Sequence, residues 1–276
     1  MMVVEAVPID GNRKPPTTLR ALAACALAVL AATVPAGCRG GMESKIDRVS
    51  ALGRKPTEPN LNRIVAMADD PDRDVRANVI LVLNSADSAR ARTLARRAID
   101  DRDGVVRGVA VEVLAPEAAG DPDLAHTLAA MATQDAVWQV RRRALGAIDG
   151  IDDPGVRAAF EAALADAVRQ VRRAALEAGH AHPGLLPVER VADLSAKDPD
   201  WENRVAAAGV LAASGDAAAL PALAAAEADP NEFVRAEAAR GRRVLEKAVA
   251  ALPPAPAATA PAAPAARREA KPGSGV

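Results

Sequence analysis

Aromatic residues are almost absent from this sequence of 276 residues, which holds two Trp, two Phe and no Tyr. A chain so poor in aromatic rings offers few platforms for stacking bases or sugars. Its formal charge of −1 also lacks the basic excess that attracts nucleic acid, so we expect no nucleic-acid partner. Alanine supplies most of the hydrophobic half of the composition, which favours closely packed helices over strands.

Cysteine is confined to the first 38 residues, at Cys25 and Cys38. The rest of the chain can therefore form no intramolecular disulfide bond and no thiolate metal site. Histidine occurs three times, and His180 and His182 have no further metal ligand close by in the sequence. Phosphate-binding loops, dinucleotide fingerprints and nucleophile elbows are absent as well. These absences predict a protein without catalytic activity and without a cofactor.

The N-terminus has the composition of an export signal. Three basic residues precede an uncharged stretch that ends in small residues before Cys38, which predicts a secretory signal peptide over residues 1–37. The residues before Cys38 resemble a bacterial lipobox, with Pro35 where Leu or Val is usual. The resemblance implies cleavage before Cys38, acylation of its thiol and a tether over residues 38–42. We therefore expect a lipid-anchored protein of the bacterial cell envelope, on the periplasmic or outer-membrane side.

Other forms of processing stay open. The residues before Cys25 also fit the lipobox pattern, but they follow Arg20 too closely to leave an apolar segment. Cleavage after Ala36 would release a periplasmic protein instead. Without cleavage, the leader would stay on the chain, either as a short anchor or on a cytosolic protein.

One short pattern recurs six times: an Asp, four residues, then Val-Arg, with Asn203 replacing Val in one copy. Successive Asp residues are 31, 34, 31, 32 and 31 positions apart. This self-similarity predicts a repeat protein. The repeat residues are Asp70 and Arg76, Asp101 and Arg107, Asp135 and Arg141, Asp166 and Arg172, Asp198 and Arg204, Asp229 and Arg235.

The residues after each Val have helical periodicity, as in Val75, Val79, Ile80 and Leu83. A break rich in Gly, Pro, Asp and Ser follows, and then a second helical stretch. Each copy thus predicts two helices. Residues 43–69 predict an additional N-terminal capping pair.

This signature resembles HEAT repeats, most closely the short bacterial variety related to the repeats of phycobilisome lyases, over residues 43–251. The resemblance implies an all-α fold, an α-solenoid of about six helix pairs plus the capping pair. It also implies that the helices beginning at Val-Arg form the outer layer, that the second helices line the inner face, and that each Arg bridges neighbouring turns. Where Val137 and Val168 occupy the expected N-cap, we expect Asp135 and Asp166 to cap the helix instead.

After residue 251 the composition changes to Pro and Ala without apolar periodicity, which predicts an extended, disordered tail over residues 252–276. Three basic residues and Glu269 give this tail a charge of +2.

The predicted function is that of a non-catalytic scaffold that binds a protein partner. The solvated positions of the second helices are the predicted partner face: Arg90, Arg97, His126, Arg157, Glu161 and Arg190. A relative of bilin lyases or another cofactor-handling protein, and an unexported cytosolic adaptor, are the alternatives. The paired His-Glu motifs of HEAT-type deoxyhypusine hydroxylases do not occur in this sequence.

Overall fold

A computed structural model describes residues 42–251, which form thirteen α-helices and no β-strand. The all-α prediction is therefore confirmed. The predicted leader, Cys38 and the tail lie outside the described residues. The helices are α1 (Met42–Gly53), α2 (Glu58–Val65), α3 (Arg73–Ala86), α4 (Ser88–Ala98), α5 (Gly104–Ala118), α6 (Pro122–Gln134), α7 (Trp138–Ala147), α8 (Pro154–Ala163), α9 (Arg169–Ala181), α10 (Val188–Lys197), α11 (Trp201–Ala213), α12 (Leu220–Ala226) and α13 (Glu232–Ala250).

The turn into each Val-Arg helix is closed by a backbone N–H that donates to the side chain of the repeat Asp. Asp70 accepts a hydrogen bond from the backbone N–H two residues later, and the other five repeat Asp residues do the same. Four of these helices then have an Asp or Asn side chain at the N-cap, such as Asp72, which accepts from the N–H of Asp74 at 2.8 Å.

The expected capping role of Asp135 and Asp166 was wrong. Helices α7 and α9 begin without any side-chain cap. Both Asp side chains are committed to the N–H of Val137 and Val168, which precede the first helical residue. The turn bond is thus common to all six copies, and the cap is a separate feature.

The helices alternate between two layers. The odd-numbered helices α1 to α13 lie side by side in one layer, and α2 to α12 lie in the other. Helices α1 and α2 form the predicted N-terminal capping pair, and five Val-Arg helices are each followed by a second helix. The second helix predicted for the sixth copy was wrong for the described residues, which end with the Val-Arg helix α13. The predicted stripe Val75, Val79, Ile80 and Leu83 is buried between the layers. The solenoid predicted from the repeats is confirmed.

The odd layer is the more closely packed of the two. Each odd-numbered helix packs against the next along the whole series, whereas among the described even-numbered helices only α6 with α8 and α10 with α12 pack together to a comparable extent. A two-layer stack bends toward its closer-packed layer, so we infer that the odd-numbered helices lie on the inner side. This reverses the layer assignment that the resemblance implied.

Two helical glycines test the close approach in the odd layer. A methyl group at Gly241 of α13 would lie 2.7 Å from Cβ of Ala212 in α11, whereas a methyl group at Gly146 of α7 would have nothing within 4 Å. We expect Gly241→Ala to lower the free energy of unfolding by about 1–3 kcal/mol through overpacking. Gly146→Ala should raise it by up to about 1 kcal/mol through helix propensity.

Urea denaturation of both variants measures the difference. Equal stabilisation by the two substitutions would show that α11 and α13 do not approach this closely.

Candidate functional site

A series of arginine–aspartate ion pairs joins consecutive repeats. Nε and Nη2 of Arg76 donate to the two carboxylate oxygens of Asp101 at 2.8 and 2.7 Å. Its Nη1 donates to the backbone carbonyl of Asp70 at 2.9 Å. Each Arg thus ties its own Asp turn to the next one. The same three contacts recur in Arg107–Asp135, Arg141–Asp166, Arg172–Asp198 and Arg204–Asp229. We call these five pairs the ladder.

The two ends of the ladder differ from its interior. Asp70 has no preceding repeat Arg and accepts instead from Nζ of Lys45 in α1 at 2.9 Å. At the other end, Nη1 of Arg235 donates to the backbone carbonyls of Asp229 and Pro230, but its Nε and Nη2 hold no carboxylate of a described residue. Sequence reasoning missed Lys45, although it lies 25 residues before Asp70, as Arg76 lies 25 before Asp101.

The single break in the motif is compatible with the ladder. Asn203 replaces a buried Val and is itself buried. Its amide donates to the carboxylate of Asp198 at 3.3 Å and to the backbone carbonyl of Arg169 at 3.2 Å. The polar side chain is therefore satisfied at a position where an unpaired amide would destabilise the fold.

The environment of the ladder keeps its carboxylates ionised. Burial by itself would raise the pKa of Asp198, whose side chain is 1% exposed, but hydrogen bonds from Arg172 and the backbone N–H of Asp200 outweigh it and lower the pKa. The pKa values of Asp101, Asp135 and Asp166 are lowered in the same way. Such carboxylates stabilise the fold above their unfolded-state pKa, and that contribution is lost as the pH falls through the lowered pKa.

The predicted partner-face residues lie along the even layer, where each contacts a neighbouring helix or turn. Arg90 pairs with Glu58 of α2, and Arg97 lies 3.5 Å from Asp69. These residues are spread over several repeats and do not converge on one site. The remaining contacts are His126 with Asp153 at 3.0 Å, Arg157 with the carbonyl of Gly184 at 2.7 Å, and Arg190 with Glu161 at 4.0 Å. Their role toward a partner stays a prediction.

The odd layer contains a shallow cavity of about 200 Å³ between α7, α9 and α11. Arg173 donates to the backbone carbonyl of Glu202, and Arg169 pairs with Asp200. Arg142 is exposed and makes no hydrogen bond or ion pair with any described residue. We call this region the Arg142 surface. Its lining residues are Trp138, Arg142, Arg169, Gln170, Arg173, Ala174, Glu177, Asp200, Glu202 and Asn203.

The described residues lack the features of a metal site or a membrane span. They contain no group of three or more His, Cys, Asp and Glu side chains that could hold a metal ion. Within the same part of the chain, no helix is long and apolar enough to cross a membrane.

Arg141 and Arg142 are adjacent in α7 and form a matched test of the ladder. Arg141→Ala leaves the carboxylate of Asp166, which is 10% exposed, without its main partner. We expect a loss of roughly 2–4 kcal/mol in the free energy of unfolding. Arg142→Ala should change it by less than about 0.5 kcal/mol, because that side chain is exposed and unpaired among the described residues. Equal effects of the two variants in urea denaturation would contradict a stabilising role for the ladder.

Comparison with known proteins supports a repeat architecture of this kind. A family model of HEAT repeats matches residues 48–115 and 97–179. No curated protein matches the chain.

A comparison with solved structures gives several matches to this chain. The Escherichia coli protein YibA is 19% identical with a TM-score of 0.51, over 78% of this chain and 80% of that one. An archaeal HEAT-like repeats protein from Thermococcus onnurineus NA1 is 14% identical with a TM-score of 0.47, over 74% and 93%. Human deoxyhypusine hydroxylase in complex with glycerol is 16% identical with a TM-score of 0.40, over 75% and 99%.

The likeness to YibA shows the fold alone. The family model places HEAT repeats within residues 48–179, and the described helices form an α-solenoid whose fold is similar to that of YibA.

Proposed function

We propose that this chain is a non-catalytic scaffold whose HEAT solenoid binds a protein partner through the Arg142 surface. A solenoid suits this role because each repeat contacts only its neighbours and leaves long faces free. The observation that carries the proposal is the exposed guanidinium of Arg142, which has no partner among the described residues and lies beside Trp138. Arg and Trp are the side chains most enriched at the energetic centres of protein interfaces.

The charges of the even layer favour the odd layer as the binding face. Arg90, Arg97 and Arg157 already contact neighbouring repeats. A partner that bound there would compete with those contacts. Arg142 has no contact of this kind to give up when a partner binds. Its planar guanidinium can hold a carboxylate through two parallel hydrogen bonds. We therefore propose a partner that presents an Asp or Glu side chain to this surface.

We further propose that the chain is an envelope lipoprotein acylated at Cys38. The support is the order of charges, apolar residues and small residues in the leader, together with the lipobox resemblance. Acylation would hold the solenoid at a membrane surface, where the tether leaves its faces accessible to a partner. A released periplasmic protein is the second candidate, because Ala36 also suits signal peptidase.

Cross-linking in intact cells, followed by capture through a tag after Val276, tests the partner face. Charge reversal by Arg142→Glu should reduce the captured partner at least about tenfold, because it repels the proposed carboxylate. Arg190→Glu is the matched control, since Arg190 is exposed on the even layer and its nearest carboxylate is 4.0 Å away. If Arg190→Glu abolished capture of the partner and Arg142→Glu did not, the partner would bind the even layer, and the proposed Arg142 surface would be wrong.

Mass spectrometry of the same captured chain reads its N-terminus. An acylated Cys38 with an envelope partner supports the lipoprotein proposal. Retention of Met1 or Met2 with cytosolic partners would overturn the proposed location, while the scaffold proposal would stand.

A further inference from the structure

The C-terminal end of the odd layer carries an exposed aromatic pair. The rings of Trp201 and Phe233 stack with centroids 5.4 Å apart, and the two residues are 40% and 57% exposed. They lie at the beginnings of α11 and α13. These are two of only four aromatic residues in the chain, and exposed stacked rings are typical of a surface that another segment covers.

Charged residues adjoin this pair along the sequences of helices α11 and α13. Glu202 follows Trp201 and Glu232 precedes Phe233; both are exposed, and neither forms an ion pair with a described residue. Arg235 lies two residues after Phe233. The end surface, defined as Trp201, Phe233, Glu202, Glu232 and Arg235, therefore offers two negative charges and one positive charge beside an apolar platform.

Arg235 is oriented like the Arg residues within the ladder. Its Nη1 donates to the backbone carbonyls of Asp229 and Pro230, as Nη1 of Arg76 donates to those of Asp70 and Pro71. In five copies, Nε and Nη2 then hold the Asp of the next repeat. No seventh copy of the motif follows Arg235 in the sequence, so its fork is a preformed carboxylate site.

We propose that residues 261–271 of this chain dock on the end surface. This segment reads Pro-Ala-Ala-Pro-Ala-Ala-Arg-Arg-Glu-Ala-Lys. Its Pro and Ala residues pack on the aromatic pair, as extended Pro-rich segments pack on aromatic grooves. Arg267 and Arg268 pair with Glu202 and Glu232, and Glu269 occupies the fork of Arg235. The segment thereby supplies the carboxylate that a further repeat would have supplied.

The length of the chain allows this arrangement. Helix α13 ends at Ala250, and Phe233 lies about 26 Å back along its axis at 1.5 Å per residue. The residues from Leu252 to Arg267 span about 50 Å when extended at 3.1 Å per residue. Both basic side chains can therefore reach the end surface of the same molecule. The inference goes beyond the scaffold proposal, which concerns the surface at Arg142.

Quenching of Trp201 fluorescence by acrylamide tests the docking. In the full chain carrying Trp138→Phe, Trp201 is the only tryptophan. Deletion of residues 261–276 should raise its quenching constant about twofold, because the ring loses its cover. Deletion of residues 272–276 is the matched control and should leave the constant unchanged. A constant unchanged by the longer deletion would overturn the proposal.

Three further measurements distinguish this docking from contacts of a different kind. Arg267→Ala with Arg268→Ala should raise quenching as the longer deletion does, and an unchanged value would contradict the assigned ion pairs. Protection that grows with protein concentration would assign the contact to a second copy and overturn the intramolecular docking. If Trp138→Phe prevents folding, the two indole N–H resonances of the otherwise unaltered chain serve instead: deletion should shift that of Trp201 and not that of Trp138.

Discussion

The bidentate ion pair between each repeat Arg and the Asp of the next repeat is the interaction on which this solenoid depends. Many of the buried side chains are alanines, whose small methyl groups pack closely but specify little about how one helix sits on the next. A guanidinium fork on a carboxylate has a fixed geometry. Because each Asp also closes the turn into its own helix, one side chain joins the local turn to the neighbouring repeat. The ladder thus fixes the relative orientation of neighbouring repeats, which the alanine interfaces alone do not specify.

The ladder and the layers together determine which surfaces stay available. Close packing among the odd-numbered helices brings Trp138, Arg142 and Arg173 around one cavity. Several even-numbered helices, such as α2 and α4, pack together less closely, and long charged side chains such as Arg90 bridge them. Those charges therefore already join neighbouring repeats, whereas Arg142 makes no hydrogen bond or ion pair with a described residue. Arg235 in the sixth copy shows the same principle, because no carboxylate of a described residue fills its fork, whereas every inner copy holds one.

Much of the fold could be predicted from the sequence, since Asp turns and Val-Arg helices depend on residues close together in the chain. Even Lys45 could have been found, because its 25-residue distance from Asp70 matches the ladder spacing. Which layer lies on the inner side could not be predicted from the sequence, since it depends on distances between helices that are not consecutive. The partners of His126 and Arg157 also depend on how repeats stack. Helical phase alone predicted their exposure but not their contacts.

A double-mutant cycle at Arg172 and Asp198, the most buried pair of the ladder, tests its central role most directly. The free energies of unfolding of Arg172→Ala, Asp198→Ala and the double variant would be compared with that of the unaltered chain. If the ladder fixes the stacking of repeats, the coupling free energy should be about 2 kcal/mol. A coupling below about 0.5 kcal/mol would mean that the two side chains contribute independently and that alanine packing alone holds the repeats together.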